Sequence, residues 1–149
     1  MKISIGFDHG ALPLRAPVLE ALNQAGHAII DHGTDSKDSV DYPDYAKLVA
    51  DDVVSGQSDL GILCCTTGVG MSIAANKVKG IRAALVHHED VASLTRRHNN
   101  ANVLCLGAMH TTAATAKRLV DVFLTSEFEG GRHERRVCKF IDWEDDSRV

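Results

Sequence analysis

Long apolar runs are missing from this chain. No stretch approaches the roughly 20 residues of a membrane-spanning helix, and the opening MKISIGFDHG reaches polar side chains too early for a secretory signal. Cysteines at CxxC spacing are missing as well. The four cysteines are Cys64, Cys65, Cys105 and Cys138, and a bridge between the adjacent pair would strain the backbone. Free thiols in a reducing cytoplasm are the expectation. Nor is there an excess of positive charge. With 16 Lys and Arg against 20 Asp and Glu, the formal net charge is −4, so neither nucleic acid nor an anionic membrane is an expected partner. Basic residues gather only at GGRHERRVCK, which suggests one anion site on an acidic surface.

What the chain does contain is ordinary for a soluble globular protein, 44% hydrophobic and 24% charged residues. Its 149 residues suit a single domain over 1–149 that buries roughly two-thirds of its unfolded surface. Short apolar runs alternate with helical patterns. The expected strands are Lys2–Phe7, His27–Asp31, Asp59–Cys64, Ile81–His87 and Asn102–Gly107. Between them, helices are expected from about Leu12 to Ala25, around Tyr45–Val53, after the glycines at MSIAANK, at EDVASLTRRH and at TTAATAKRLVDVFL, with a last one from Arg132 to about Ile141. Pro17 should kink the first helix or delay its start. Thr111 or Thr112 is a plausible N-cap, and HGTDSKDSVDYPD reads as a long loop. This alternation predicts an α/β fold, a three-layer α/β/α sandwich around a five-stranded, Rossmann-like parallel sheet. Ligands of such sheets bind at the carboxyl ends of the strands. The loops to inspect are therefore DHG, CCTTGVG, HHED and GAMHTT.

In CCTTGVGMSIAANK, N–H groups can converge at a helix N-terminus and hold an anion. Two nucleotide-phosphate loops are excluded by spacing, because there is no GxxxxGK[ST] and GVG lacks the third glycine of GxGxxG. A cysteine-phosphatase loop would need an arginine where Gly70 or Met71 stands. The plainer alternative is a tight strand-to-helix turn with no ligand. Cys65, at the strand end, is a candidate nucleophile or base, since a helix N-terminus favours the thiolate. The two-residue strand period turns Cys64 to the opposite face, into the core, with Cys105 also core. His98 ends a helix, where a histidine is as readily a cap as a catalyst. Asp8 and His9 follow the first strand, where turn chemistry competes with function. Arg132 and Arg136, four apart, share a helix face and suit a phosphate, unless that face is merely solvated. His87, His88, His9 and His110 allow a metal hypothesis that no HExxH or EF-hand pattern supports, so no metal is expected.

Taken together, DHG, DYPDYA (Asp41–Ala46), CTTGVGMSIAANK (Cys65–Lys77), GIRAAL (Gly80–Leu85), RHNNANV (Arg97–Val103) and EGGRHERRV (Glu129–Val137) resemble one family over essentially the whole chain. It is that of the type B ribose-5-phosphate isomerases and the related galactose- and allose-6-phosphate isomerases. The resemblance implies an aldose–ketose isomerase of a phosphorylated sugar with no metal or organic cofactor. By position, Cys65 looks like the base that moves a proton between C1 and C2 through a cis-enediol(ate). Thr66, Thr67, Gly68, Val69 and Gly70 would offer N–H groups to the oxyanion, with Thr67 assisting through its hydroxyl. His98, with Asp8, looks like the acid/base pair that opens the furanose ring. Asn99 and Tyr42 would contact the sugar, and His9, Arg132 and Arg136 resemble a phosphate clamp. Members are dimers or tetramers in which two subunits share each active site.

Two positions depart from the pattern. Thr66 follows the cysteine where many relatives have glycine, and it demands ordinary backbone angles. Met109 stands where relatives often carry an arginine that reaches the phosphate, a contact His110 could replace in part. A six-carbon or tetrose phosphate is the closest alternative substrate. From other classes, a non-catalytic phosphate- or nucleotide-binding module would have no need of Cys65 and His98. A thiol redox protein would need Cys64 and Cys65 on the same side.

Overall fold

In the computed structural model of the chain, which describes residues 1–143, strands and helices alternate as the apolar pattern predicts. Residues 144–149, the end of the domain expected over 1–149, lie outside the described residues. Strand β1 (Lys2–Phe7) is buried after its first residue. Helix α1 (Leu12–Gln24) buries Leu14, Val18 and Leu22, one face at four-residue spacing. Pro17 does not delay this helix, which starts at Leu12 with Pro13 in its first turn. The N–H that Pro17 lacks would have met the carbonyl of Pro13, so the loss falls next to the helix start.

Strand β2 (Ala28–Asp31) forms one edge. Residues 32–41 then lead into α2 (Tyr42–Val54), which begins earlier than the loop reading of DYPD allows. Pro43 in its first turn and Asp44 beside the positive end of the helix dipole account for the earlier start. Strand β3 (Leu60–Cys65) is buried along its whole length and ends at Cys65, one residue beyond expectation. It is followed by α3 (Val69–Ala75). Strand β4 (Ala83–Leu85) is shorter than expected, because the Arg82 N–H is taken by the Asn102 side chain at 2.7 Å instead of a ladder carbonyl. Helix α4 (Glu89–Asn99), strand β5 (Val103–Gly107), helix α5 (Ala113–Thr125) and helix α6 (Arg132–Trp143) complete the described residues. Of the two threonines proposed as cap for α5, Thr112 is the one, its hydroxyl accepting the Thr115 N–H at 3.2 Å.

The five strands are parallel in the order β2-β1-β3-β5-β4. Helices α1, α4 and α5 close one face around Ile5, Phe7, Cys64, Leu104 and Phe123. Helices α2 and α3 close the other around Val49, Leu63, Cys65, Met71 and Cys105. Cys64 and Cys65 therefore enter different cores, as the strand period requires. All four cysteines are free, and the opposite directions of Cys64 and Cys65 deny a redox pair the geometry it would need. Burial pushes the thiols of Cys64 and Cys105 up, so neither is a nucleophile near neutrality.

Candidate active site

The chain leaves β1 toward β2 on one side and resumes at β3 on the other, so the sheet changes direction between the carboxyl ends of β1 and β3. Asp8 and Cys65 meet at that crevice, where the Asp8 N–H extends the ladder to the Cys64 carbonyl at 3.2 Å. Asp8 caps the short turn His9–Ala11 by accepting the Gly10 N–H at 2.9 Å. It is only 5% exposed, and burial raises its carboxyl above the ordinary value against the pull of that N–H. His9 accepts the Val40 N–H at Nδ1, 3.2 Å away. An accepting Nδ1 carries no proton, so the donor of this ring is Nε2.

At the end of β3 the Gly68 N–H points at the Cys65 Sγ over 3.0 Å. Gly68 reaches this position through the left-handed conformation, φ +78°. A Cβ there would also lie 2.4 Å from a Leu85 methyl, so only glycine serves. The Val69 N–H turns to the Thr67 hydroxyl at 3.3 Å. The tyrosine ring of Tyr42 lies across Gly70, 2.8 Å from where a Cβ would stand. Thr66 has ordinary backbone angles, since Asn100 alone among the described non-glycine residues has positive φ. Its Oγ1 occupies the space over Gly10, 2.0 Å from the position of a Cβ on that residue. The side chain that departs from the family pattern is thus received by a glycine across the crevice. The GAMHTT loop is tied to the same place, with Ala108 N–H on the Cys65 carbonyl at 3.0 Å and Met109 N–H on the Thr66 carbonyl at 2.9 Å. Met109 itself is 63% exposed.

The remaining expected site residues, His98, Asn99, Arg132 and Arg136, do not stand at the carboxyl ends of this chain's own strands. Helix α4 runs back along the sheet, so His98 and Asn99 at its end stand beside the amino ends of β4 and β5. The Arg82 guanidinium, just before β4, binds the Asn100 carbonyl at 2.7 Å. Helix α5 runs back likewise, and Glu129 beyond it gives its N–H to the Arg97 carbonyl at 3.0 Å. Arg132 and Arg136 on α6 belong to this end too. In register, Val103 pairs with Gly61 and Gly107 with Cys65, so roughly 13 Å of strand separates the two ends.

The fold is shared with proteins of known identity. Residues 3–140 match the family model described as Ribose/Galactose Isomerase. The chain is 46% identical to ribose-5-phosphate isomerase B of Escherichia coli over 136 residues, 91% of each chain. It superposes on the Clostridium thermocellum ribose-5-phosphate isomerase B structure with a TM-score of 0.95 and 46% identity, covering 98% of this chain and 99% of that one. A Mycoplasma genitalium ribose-5-phosphate isomerase B solved with bound ribulose-5-phosphate gives 0.92 and 47%, over 98% and 97% of the two chains.

The chain belongs to the ribose/galactose isomerase family.

In this isomerase the second cluster contains two residues that the sequence reading quoted but did not single out, Glu129 and His133. The Arg97 Nε donates to Glu129 Oε1 at 2.7 Å. Glu129 Oε2 lies 3.7 Å from His98 Nε2 and 3.6 Å from His133 Nε2. The available signal was the four-residue spacing of Glu129 and His133, with His133 on the buried side of α6 beside Val137. Among the described residues this trio brings its ligand atoms within 4.8 Å of one another. The two rings, however, stack at 4.0 Å and 4°, so their in-plane lone pairs run side by side and do not converge on one ion. The histidines considered at sequence level form no such group. His87 and His110 meet only edge to face at 6.4 Å.

Proposed function

We propose that the protein interconverts ribose 5-phosphate and ribulose 5-phosphate without a cofactor, with Cys65 as the base. The observation that carries this reading is the Gly68 N–H on Cys65 Sγ at the sheet's switch point. A donor there stabilises the thiolate, and the thiolate is the form that takes a proton. Cys65 removes the C2 proton of the open-chain aldose and returns it at C1. The charge that builds on the sugar oxygen between these events falls to the N–H groups of Thr66, Thr67 and Gly70 and to the Thr67 hydroxyl. A donor so placed lowers the barrier by about 3–4 kcal/mol. Asp8, whose carboxyl burial holds above its ordinary value, stands beside Cys65 at the ends of the paired strands β1 and β3.

The same reading makes the active site a product of two chains. His98 for ring opening, Asn99 for the sugar, and Arg132 and Arg136 for the phosphate stand at the far end of the sheet from Cys65. A second copy packed about a two-fold axis brings its own set to this Cys65 and receives this chain's set in return. Val69 and Ile73 on α3, 45% and 57% exposed, and Tyr42, 39% exposed, give the crevice an apolar border suited to that contact. His9 then supplies a donor from the Cys65 side to the phosphate held by the partner's arginines. A panel of four- to six-carbon sugar phosphates assayed with EDTA present tests the substrate. The highest kcat/KM should fall on the five-carbon pair, whereas a preference for a six-carbon phosphate, or turnover that EDTA abolishes, overturns the reading.

A further inference from the structure

The stacked imidazoles at the far end of the sheet raise a question that the assignment of His98 leaves open. Opening a furanose moves one proton off the anomeric hydroxyl and one onto the ring oxygen, as the C1–O4 bond breaks and the C1=O1 bond forms. A single imidazole can take the first proton and return it as the second. It must therefore alternate between neutral and charged forms, and a second charged imidazole 4.0 Å away would oppose that.

The surroundings resolve the competition in favour of His98. His133 is 6% exposed, and its Nε2 faces the Arg132 Nε at 3.4 Å, an accepting role that a protonated nitrogen cannot fill. Burial, then the nearby charges of His98 and Arg132, hold its protonation below the ordinary histidine value. His98 is one-third exposed and open to a substrate. Glu129 is fixed by Arg97 through one oxygen and turns the other toward the pair. The charged groups that face the pair are Glu129 from the turn before α6, Arg97 from α4, and Arg132 and Arg136 from α6. Arg96 is directed away, to the Ala101 carbonyl and the Phe123 ring.

We propose that Glu129 and His133 are positioning residues for His98: His133 is an uncharged platform that fixes the plane of the ring, and Glu129 is the anion that stabilises its charged form. The proposal rests on the reading of His98 as the ring-opening group. It assigns His133 no proton transfer of its own.

The test uses the assembled enzyme and two reactions. Conversion of ribose 5-phosphate requires ring opening. Exchange of the ribulose 5-phosphate C1 proton with deuterium oxide, followed by NMR, requires Cys65 but no ring opening, because a 5-phosphorylated ketopentose cannot close to a furanose. Glu129→Gln should lower kcat for ribose 5-phosphate about tenfold or more and move its pH profile to lower pH, with exchange unchanged. His133→Ala should also lower kcat selectively, and His133→Phe, which keeps the stack without a titrating group, should restore most of it. The proposal is overturned if Glu129→Gln leaves kcat and the pH profile untouched, if conversion and exchange fall together, or if His133→Phe is no better than His133→Ala. A His98→Asn protein that still converts ribose 5-phosphate would instead overturn the underlying assignment of His98.

Discussion

The Gly68 N–H lies 3.0 Å from the Cys65 Sγ. It addresses a sulfur at the end of a buried strand. Replacing Cys65 by Ala should therefore abolish isomerisation in both directions while the fold, whose α2/α3-side core keeps Leu63, Met71 and Cys105, remains intact. The loss expected for a base is at least about a hundredfold in kcat. Steady-state kinetics with circular dichroism on the same samples checks this, and full activity in the variant would remove Cys65 from the mechanism.

Gly10 and Thr66 form a complementary pair across the crevice. Gly10→Ala should be poorly tolerated, because its new methyl would stand 2.0 Å from the Thr66 Oγ1. Thr66→Gly in the same chain should relieve the clash and recover activity. Kinetics of the two single variants and the double variant read this as a coupling, and strict additivity would contradict it.

A buried polar knot fastens β1 to α2. Asp52 Oδ2 accepts the Ser4 hydroxyl at 2.7 Å and lies 2.7 Å from His32 Nε2. Burial alone would raise this carboxyl, but the hydrogen bonds from His32 and Ser4 outweigh it and hold Asp52 below its ordinary value of 3.8. A depressed folded value means that the unfolded chain binds the proton more tightly. The stabilisation is thus present above pH 3.8 and is lost as pH falls through the folded value. Asp52→Asn should cost about 1–3 kcal/mol at neutral pH and flatten the acid limb of stability. Urea unfolding across pH 3–7 measures both, and an unchanged acid limb would rule out this carboxylate as its source.

The periodicity of the chain made the sheet legible because each strand is short, apolar and bounded by polar turns. The opposite directions of Cys64 and Cys65 followed from strand geometry alone. The placement of His98 did not. Sequence shows that it ends a helix, but only the return path of α4 along the sheet shows that such an end is remote from Cys65. The same holds for Arg132 and Arg136, whose shared helix face was readable while the end of the sheet it serves was not. Glu129 and His133 escaped notice for a related reason. Their meeting with His98 joins α4 to the turn before α6, about 30 residues later in the chain, a contact no local pattern encodes.

The shared site is the claim on which the others depend, and mixing two inactive chains tests it. Cys65→Ala removes the base and His98→Asn the ring-opening group, so neither homo-oligomer should convert ribose 5-phosphate. If each site draws Cys65 from one chain and His98 from its partner, random co-assembly in equal amounts gives about half mixed pairs, each with one intact site. The mixture should then show about a quarter of the wild-type rate per chain. A mixture as inactive as its two components, with mixed pairs demonstrated by mass spectrometry, would show that each chain carries its own complete site and would contradict the account.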